Sequence, residues 1–464
     1  MFTKIEFIVF LVGLGALLFV LKNNTIKKTS LLIANFYFYA YYDYRFLLLL
    51  ILCVLLTYFI GNLIEKYSSI SSRRFCLFLA IALNICVLVY FKYLNFFIET
   101  LRNILTSMNL PLNSVDVILP LGISFYIFRL ISYSVDIYQK KITTPSLLDF
   151  MIYGTFFPII ISGPISRAKT ILRQVNNIEL SSVNVYKGYR LFVIGIFLKL
   201  VVADRIASYV NFFYNNHEVF NSLTAWIAVC AYSIQIYFDF AGYSNMAIGV
   251  ALIIGIQIEE NFDFPYTAQS IIDFWKRWHI TLSKWITEYI YIPLGGNRRG
   301  DKRKLINLLI TMTLCGLWHG ASWTFVAWGF FHGLLLIVNH SWKGSTYQSM
   351  LMNFPSLYSC VSWSLTVLSV TICWVFFRSN NFCQAVQIIQ QLFAFSNGGV
   401  GWYHPFVLFI LCATILIHIL YFLNLKFFTL PIESKTTPAI LFCLLWIVLI
   451  YYSKEFQPFV YREF

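Results

Sequence analysis

The sequence predicts an all-α polytopic membrane protein, and three observations carry that expectation. The 464 residues are 59% hydrophobic and only 12% charged, whereas soluble domains average about 45–50% apolar and about 25% charged residues. Half the usual charge does not cover a water-facing globule, so a soluble enzyme, a disordered chain and a disulfide scaffold are excluded. Apolar runs of spanning length recur along the whole chain at a mean hydropathy of +0.72, and basic clusters fall in the gaps between them.

A spanning helix needs about 20 mostly apolar residues. In chain order the candidates are Ile5–Leu21, Tyr44–Leu63, Cys76–Phe97, Val117–Val135, Leu147–Ser162, Tyr189–Ala207 and Leu223–Phe238 with Ala241–Ile256. Leu305–Leu317, Ser322–Val338, Leu357–Phe377, Pro405–Leu423 and Pro438–Tyr452 follow. The count is about eleven transmembrane helices in a single integral-membrane domain over residues 1–464. Ile5–Leu21 has no small-residue cleavage site before the Lys22–Lys28 cluster and reads as a retained first helix. Leu31–Tyr42 reads equally as re-entrant, interfacial or spanning. The ten cysteines contain no CxxC pair, so neither a zinc site nor a redox dithiol is indicated.

Basic clusters orient the chain. Lys22/Lys27/Lys28 and the run Arg298, Arg299, Lys302, Arg303, Lys304 are expected in the cytoplasm by the positive-inside bias, which puts the N-terminus outside. Lys426 and Lys435 bracket a further cytoplasmic loop, so Pro438–Tyr452 delivers the C-terminus, with its tail 454–464, to the outer face. The net charge of +14 belongs to these loops. With no soluble basic domain to carry it, the expected partner is the lipid bilayer and not a nucleic acid.

Ionisable groups inside apolar runs are expensive and mark functional candidates. His319 lies in Leu317-Trp318-His319-Gly320-Ala321-Ser322-Trp323. A continuous helix from Ile306 to Val338 would be about 50 Å long against a ~30 Å hydrocarbon core. It therefore breaks, with Gly316 and Gly320 marking the place. A broken helix at membrane depth is tolerated where it is buried or lines a watery cavity, so His319 faces such a cavity between Trp318 and Trp323, or is a core histidine bonded to backbone. Asp273 to Tyr291 reads as an amphipathic interfacial helix, with Trp275, Trp278, Leu282, Trp285 and Tyr289 on one face and Asp273, Arg277, Thr281, Lys284 and Glu288 on the other. His279 lies at the edge of the apolar stripe and points toward protein. Asp239, between two apolar runs, needs a partner, either an arginine or a helix N-terminus. Arg129 and Asp136 share one face and read as structural; His332 reads as a support to the site.

These residues also resemble the membrane-bound O-acyltransferase superfamily, in its bacterial envelope branch of alginate and peptidoglycan O-acetylation proteins. The resemblance runs through LPLGISFYIFRLISYSVDIY (Leu119–Tyr138), FFPIIISGPISRAKTILRQ (Phe156–Gln174) and GYRLFVIGIFLKLVVAD (Gly188–Asp204). It continues in YFDFAGYSNMAIG, ENFDFPYTAQSIIDFWKRWHITLSKWITEYIYIPLGGNRRG, NLLITMTLCGLWHGASWTFVAWGFFHG and WVFFRSNNFCQAVQIIQQLF. It implies helices around a central tunnel, with the family's invariant histidine at His319 and its second histidine at His279. Asn245 departs from the aspartate common at that position, which weakens a catalytic role for the Asp239–Asn245 segment. The terminus Phe459-Val460-Tyr461-Arg462-Glu463-Phe464 is similar to the FxYxxF ending of envelope-acylating systems. There the Tyr461 phenol would accept the acyl group; an aromatic anchor is the other reading.

The resemblance implies acetyl transfer from cytoplasmic acetyl-CoA, a substrate and not a resident cofactor, across the inner membrane. The recipient is an extracytoplasmic SGNH-type acetyltransferase serving a cell-envelope polysaccharide. No metal is expected. Trp278, Trp318, Trp323, Asp239, Asn261, Arg298 and Arg299 are the expected tunnel or substrate-binding residues, the two arginines holding CoA phosphates or simply belonging to a cytoplasmic loop. A composition rich in Ile, Asn, Lys, Phe and Tyr suggests an AT-rich genome and favours peptidoglycan muramic acid over alginate as acceptor. A transporter or flippase of an acyl or lipid-linked sugar carrier shares the composition and the broken helices, but needs neither the Trp-His-Gly motif nor a terminal tyrosine.

Overall fold

The computed structural model describes residues 2–105, 114–394, 398–423 and 437–451. Among them every extended regular element is a helix, and one isolated bridge joins Phe220 to Val400. Four helical stretches are long and apolar enough to cross a bilayer: Asn24–Lys66, Ile70–Arg102, Ser222–Ile253 and Pro355–Arg378. The other apolar helices are shorter or less apolar, because interruptions divide runs that composition alone reads as whole spans.

The chain forms two compact units, Met1–Phe192 with Ser244–Glu259 and Val193–Tyr243 with Glu260–Phe464. The first holds α1 (Ile5–Val20), α2 (Asn24–Asp43), α3 (Leu47–Lys66), α4 (Ile70–Leu88), α5 (Leu94–Ile104), α6 (Ile123–Tyr138), α7 (Leu147–Thr155) and α8 (Ala168–Val175). Asn23 caps α2 by accepting from the Thr25 and Ile26 amides. That helix continues through a 3₁₀ turn at Tyr44–Phe46 into α3, so Leu31–Tyr42 is part of one long helical stretch. Gly122, at φ 69°, opens α6 where a Cβ would strike the Ile160 carbonyl at 2.2 Å. The buried Arg129 of α6 donates to the carbonyls of Tyr153 (3.0 Å) and Gly154 (2.9 Å) at the C-terminal end of α7. Its role is structural, as a cation satisfying the last orphan carbonyls of a helix.

The second unit takes up the chain within α9 (Ser182–Phe197) and continues through α10 (Asp204–Asn215) and most of α11 (Ser222–Ile253). α12 (Ile271–Arg277), α13 (Ile280–Ile286), α14 (Asp301–His319), α15 (Trp323–Trp342), α16 (Thr346–Met352), α17 (Pro355–Arg378), α18 (Phe382–Phe393), α19 (Pro405–Phe422) and α20 (Thr437–Tyr451) complete it. Two expectations are corrected here. The segment around Asp239 does not separate two helices; α11 runs through it unbroken. Asp273 to Tyr291 is not one helix; it is α12, a break at Trp278–His279, α13 and a π-helical turn over Thr287–Tyr291.

Apolar side chains such as Phe19, Val20, Phe75 and Phe78 are exposed on helix faces of the first unit. In a bilayer these faces meet lipid, where they cost nothing.

Candidate active site

α14 and α15 form a tight helical hairpin. Gly316 and Gly329 face each other so closely that a Cβ on Gly316 would lie 2.2 Å from the Phe325 carbonyl oxygen, and one on Gly329 2.3 Å from that of Met312. Small residues let the two backbones meet, as in membrane helix pairs generally. The break expected near Gly316 and Gly320 falls at Gly320–Ser322 only, and Gly316 serves the packing instead. Ser322 restarts the helix as N-cap, accepting from the Thr324 amide at 3.3 Å.

His319 is the last residue of α14 and is 2% exposed. Its ring lies edge-to-face with Trp318 (4.9 Å between centroids), Trp328 (5.0 Å) and Phe377 (5.3 Å). Trp323, expected as its second flanking indole, is 56% exposed. It is the first residue of α15, and Trp328, five residues on, is an indole that packs on the His319 ring.

His279 occupies the break between α12 and α13 in a left-handed conformation (φ 42°, ψ 55°) and is fully buried. Phe240 meets its ring edge-on at 4.7 Å, and Trp318 lies 6.3 Å away. One indole therefore neighbours both His279 and His319. Asn261 accounts for the break, bonding both main and side chain of the 279–281 turn. Its carbonyl accepts from the Ile280 amide (3.0 Å), and its Oδ1 meets His279 Nδ1 (3.0 Å) and the Thr281 hydroxyl (2.8 Å). Asn261, expected in a tunnel wall, thus acts on His279. Burial pushes the His279 imidazole down from 6.5 to about 3, so the ring is neutral. Trp278, the other residue of the break, is fully buried. It packs between Phe274 (5.6 Å, stacked) and Trp374 (4.9 Å) as core.

Asp239 is buried, and the partner found for it among the described residues is a lysine. Lys199 Nζ lies 2.5 Å from Asp239 and 2.7 Å from Asp204. The lysine sits in a π-helical turn, Leu198–Ala203, between α9 and α10. Sequence reasoning missed Lys199, although a lysine inside the apolar run Tyr189–Ala207 is the kind of signal that singled out Asp239. It also missed Arg378, which donates to Asn211 (2.7 Å) at the end of α17.

Two cavities approach His319 within this unit. A polar one of about 490 Å³ is lined by Lys199, Asp204, Asp239, Gln235, Arg378 and Phe377 among others, so the phenyl that packs on His319 is also its wall. The other, about 530 Å³, is lined by Trp275, Lys276, Lys284, Thr311 and His340 among others. Trp275 meets Trp328 at 5.8 Å, and Trp328 meets His319. Trp275 Nε1 also donates to Nδ1 of the buried His332 (3.3 Å). His319 thus packs directly on a wall residue of the first cavity and is separated from a wall residue of the second by the single indole of Trp328. Such a position suits a group that must act on reactants arriving by separate routes.

Arg298 and Arg299 are exposed on the turn before α14, and neither lines these two cavities. Tyr461, the tail 454–464 and the Lys426–Lys435 loop lie outside the described residues.

The profile of MBOAT, the membrane-bound O-acyltransferase family, matches residues 33–386. The chain is 38% identical over 386 residues to a probable alginate O-acetylase AlgI of Pseudomonas putida, covering 82% of this chain and 77% of that one. It is 34% identical over 399 residues to a peptidoglycan O-acetyltransferase of Helicobacter pylori, covering 80% and 74%. Similarity extends at 29% over 267 residues to a teichoic acid D-alanyltransferase of Streptococcus thermophilus, covering 54% and 64%. With that coverage and an all-helical architecture, the chain belongs to the membrane-bound O-acyltransferase family, as an O-acyltransferase of its envelope-polymer O-acetylation branch.

Proposed function

We propose that this protein moves acetyl from cytoplasmic acetyl-CoA across the bacterial inner membrane to O-acetylate a cell-envelope polysaccharide, peptidoglycan muramic acid in the first instance. The observation that carries the reading is His319 among its aromatic neighbours, with one cavity wall, Phe377, packed on its ring and the wall of a second, Trp275, one indole away across Trp328. Acetyl, and not the whole cofactor, then has to cross. The cavity with Lys276, Lys284 and Glu288 in its wall suits the donor side, because its net positive charge favours a phosphate-bearing ligand. The polar cavity lined by Lys199, Asp239 and Arg378 suits hydroxyl acceptors.

The chemistry closes without a metal. His319 takes the proton of an attacking hydroxyl, which adds to the thioester carbonyl. The C–S bond breaks, and the CoA thiolate recovers the proton from the imidazolium. In the first transfer the hydroxyl is the phenol of Tyr461. The resulting phenyl ester passes acetyl to an SGNH-type extracytoplasmic partner and regenerates the phenol. This reading puts both chain termini outside. The alginate O-acetylase relatives support a second acceptor, alginate or another exopolysaccharide.

His319→Ala is expected to lower acetyl transfer at least about 100-fold, the lower range for loss of a general base, while the protein still inserts in the membrane. The measurement is the mass of muropeptides and exopolysaccharide from cells carrying only that variant. Wild-type acetylation by a well-expressed His319→Ala protein removes the histidine from the chemistry. Loss of acetate from exopolysaccharide with unchanged muropeptides selects the second acceptor.

A further inference from the structure

Hydrogen-bond donors and acceptors around Asn261 determine which nitrogen of His279 carries its proton. The Thr281 amide, which can only donate, points at Asn261 Oδ1 at 3.3 Å. That atom is therefore the oxygen of the side-chain amide, because an NH₂ there would face another donor. His279 Nδ1 lies 3.0 Å from the same oxygen, so Nδ1 bears the hydrogen and Nε2 is bare. Nε2 is buried and has no hydrogen-bond partner among the described residues.

The backbone is built to hold this state. The Ile280 amide donates to the Asn261 carbonyl and the Asp263 amide to the Arg277 carbonyl, each at 3.0 Å. The strained left-handed residue is thereby clamped on both sides. A non-glycine residue in that region is strained, and such strain persists where surrounding structure over-determines it, commonly at functional sites. His332 shows the opposite arrangement under the same logic. Its Nδ1 receives the Trp275 indole N–H, which only donates, so His332 carries its hydrogen on Nε2.

We propose that Asn261 is a positioning residue of this active site, whose side-chain oxygen fixes His279 as the Nδ1–H tautomer and leaves Nε2 as a hydrogen-bond acceptor for the hydroxyl whose proton His319 takes. The inference rests on the acetyl transfer proposed above and adds His279 to it as the residue that holds the attacking hydroxyl. Asn261 itself touches no reacting atom; it sets the orientation and protonation of the ring that does.

Full-length protein carrying ¹⁵N-imidazole histidine, held in lipid nanodiscs, tests the assignment. The His279 resonances are those missing from His279→Gln. A protonated Nδ1 with an unprotonated Nε2 is expected; a protonated Nε2 overturns the proposal. With acetyl-CoA as the probe and CoA release as the rate, Asn261→Leu should lose about 10- to 100-fold, the usual effect of removing a residue that orients a functional histidine. Asn261→Asp keeps an oxygen in place and should stay within about threefold of wild type. Adding Asn261→Leu to His279→Gln should cost nothing further, whereas a further tenfold loss makes Asn261 merely structural. If Asn261→Leu fails to fold, the wild-type spectrum and Asn261→Asp still decide. A wild-type rate in His279→Gln with the expected tautomer means that the catalytic reading of His279 has failed and the hydrogen-bond assignment has not.

Discussion

Two buried polar groups of the second unit, His279 and Lys199, carry consequences that each side chain fixes alone. His279 lies in the break between α12 and α13, outside the long spanning stretches, and burial holds it neutral down to about pH 3. In the unfolded chain the same ring takes a proton below 6.5. Between these values the unfolded state binds more protons, so stability falls as pH falls, by up to about 1.4 kcal/mol per pH unit. Unfolding in detergent from pH 7 to pH 4 should therefore show a steeper acid loss in wild type than in His279→Gln. Equal slopes would mean that the folded ring takes up the proton. Lys199 is the cation shared by Asp204 and Asp239. Lys199→Met leaves the buried Asp239 and the half-buried Asp204 without it and should cost about 3–5 kcal/mol, as removal of one partner of a buried pair does. Lys199→Met combined with Asp239→Leu should recover part of that loss. Thermal unfolding of the three variants checks the order, and a double variant less stable than the single one contradicts it. The candidate histidines were legible in the sequence because they interrupt apolar runs. Lys199 was equally visible and passed over, while its pairing was not, since 40 residues of helix and loop separate it from Asp239.

At the scale of elements, the sequence locates a break better than it explains one. Gly316 and Gly320 both read as breakers, and only the second is one. Whether a glycine ends a helix or lets two helices touch depends on what lies across from it, and for Gly316 that is Gly329. Helical periodicity likewise runs without a flaw from Asp273 to Tyr291, because α12 and α13 keep their apolar faces in phase across His279. The break there comes from Asn261, 18 residues away. α11 errs the other way. Asp239 and the small residues after it look like a loop in an apolar sequence, but Lys199 neutralises the charge and Gly242 lets α11 pack within 2.8 Å of the Gly195 carbonyl, measured to an ideal Cβ. The hairpin gives a direct test. Gly316→Ala and Gly329→Ala should each cost about 1–3 kcal/mol, the usual cost of overpacking, and should lower acetyl transfer by moving His319. Gly13→Ala, where a Cβ meets nothing within 4 Å, should stabilise by less than about 1 kcal/mol. Melting temperatures compared across the three check this, and a harmless Gly316→Ala would show that the helices can separate at little cost.

On the scale of the whole molecule, composition settles the membrane class, since no soluble surface can be made from 12% charged residues. The fixed order of motifs settles the family. Orientation follows from charge alone, with Lys28 and Arg299 at basic clusters expected inside and the C-terminus expected outside. Membrane-impermeant labelling of single cysteines should accordingly reach a position beside Phe464 from the periplasm, and positions 28 and 299 only after the membrane is opened. The proposed relay depends on that result, because Tyr461 can serve an extracytoplasmic partner only from the outer face. Lys454 and Tyr461 are seven residues apart, an extended reach of about 25 Å, close to the ~30 Å thickness of the hydrocarbon core. A phenol tethered there can enter from outside and meet a thioester presented from inside. Phenolate, with a pKa near 10 for its parent phenol, is also a better leaving group than a sugar alkoxide, so onward transfer runs downhill. Tyr461→Phe keeps the ring and any anchoring role and removes one oxygen. That variant should still bind acetyl-CoA with wild-type affinity, by calorimetry in nanodiscs, while cells carrying it yield polymer without O-acetyl groups. Wild-type acetylation by Tyr461→Phe would reduce the tail to an anchor and require the polymer, or its transferase, to take acetyl directly at His319.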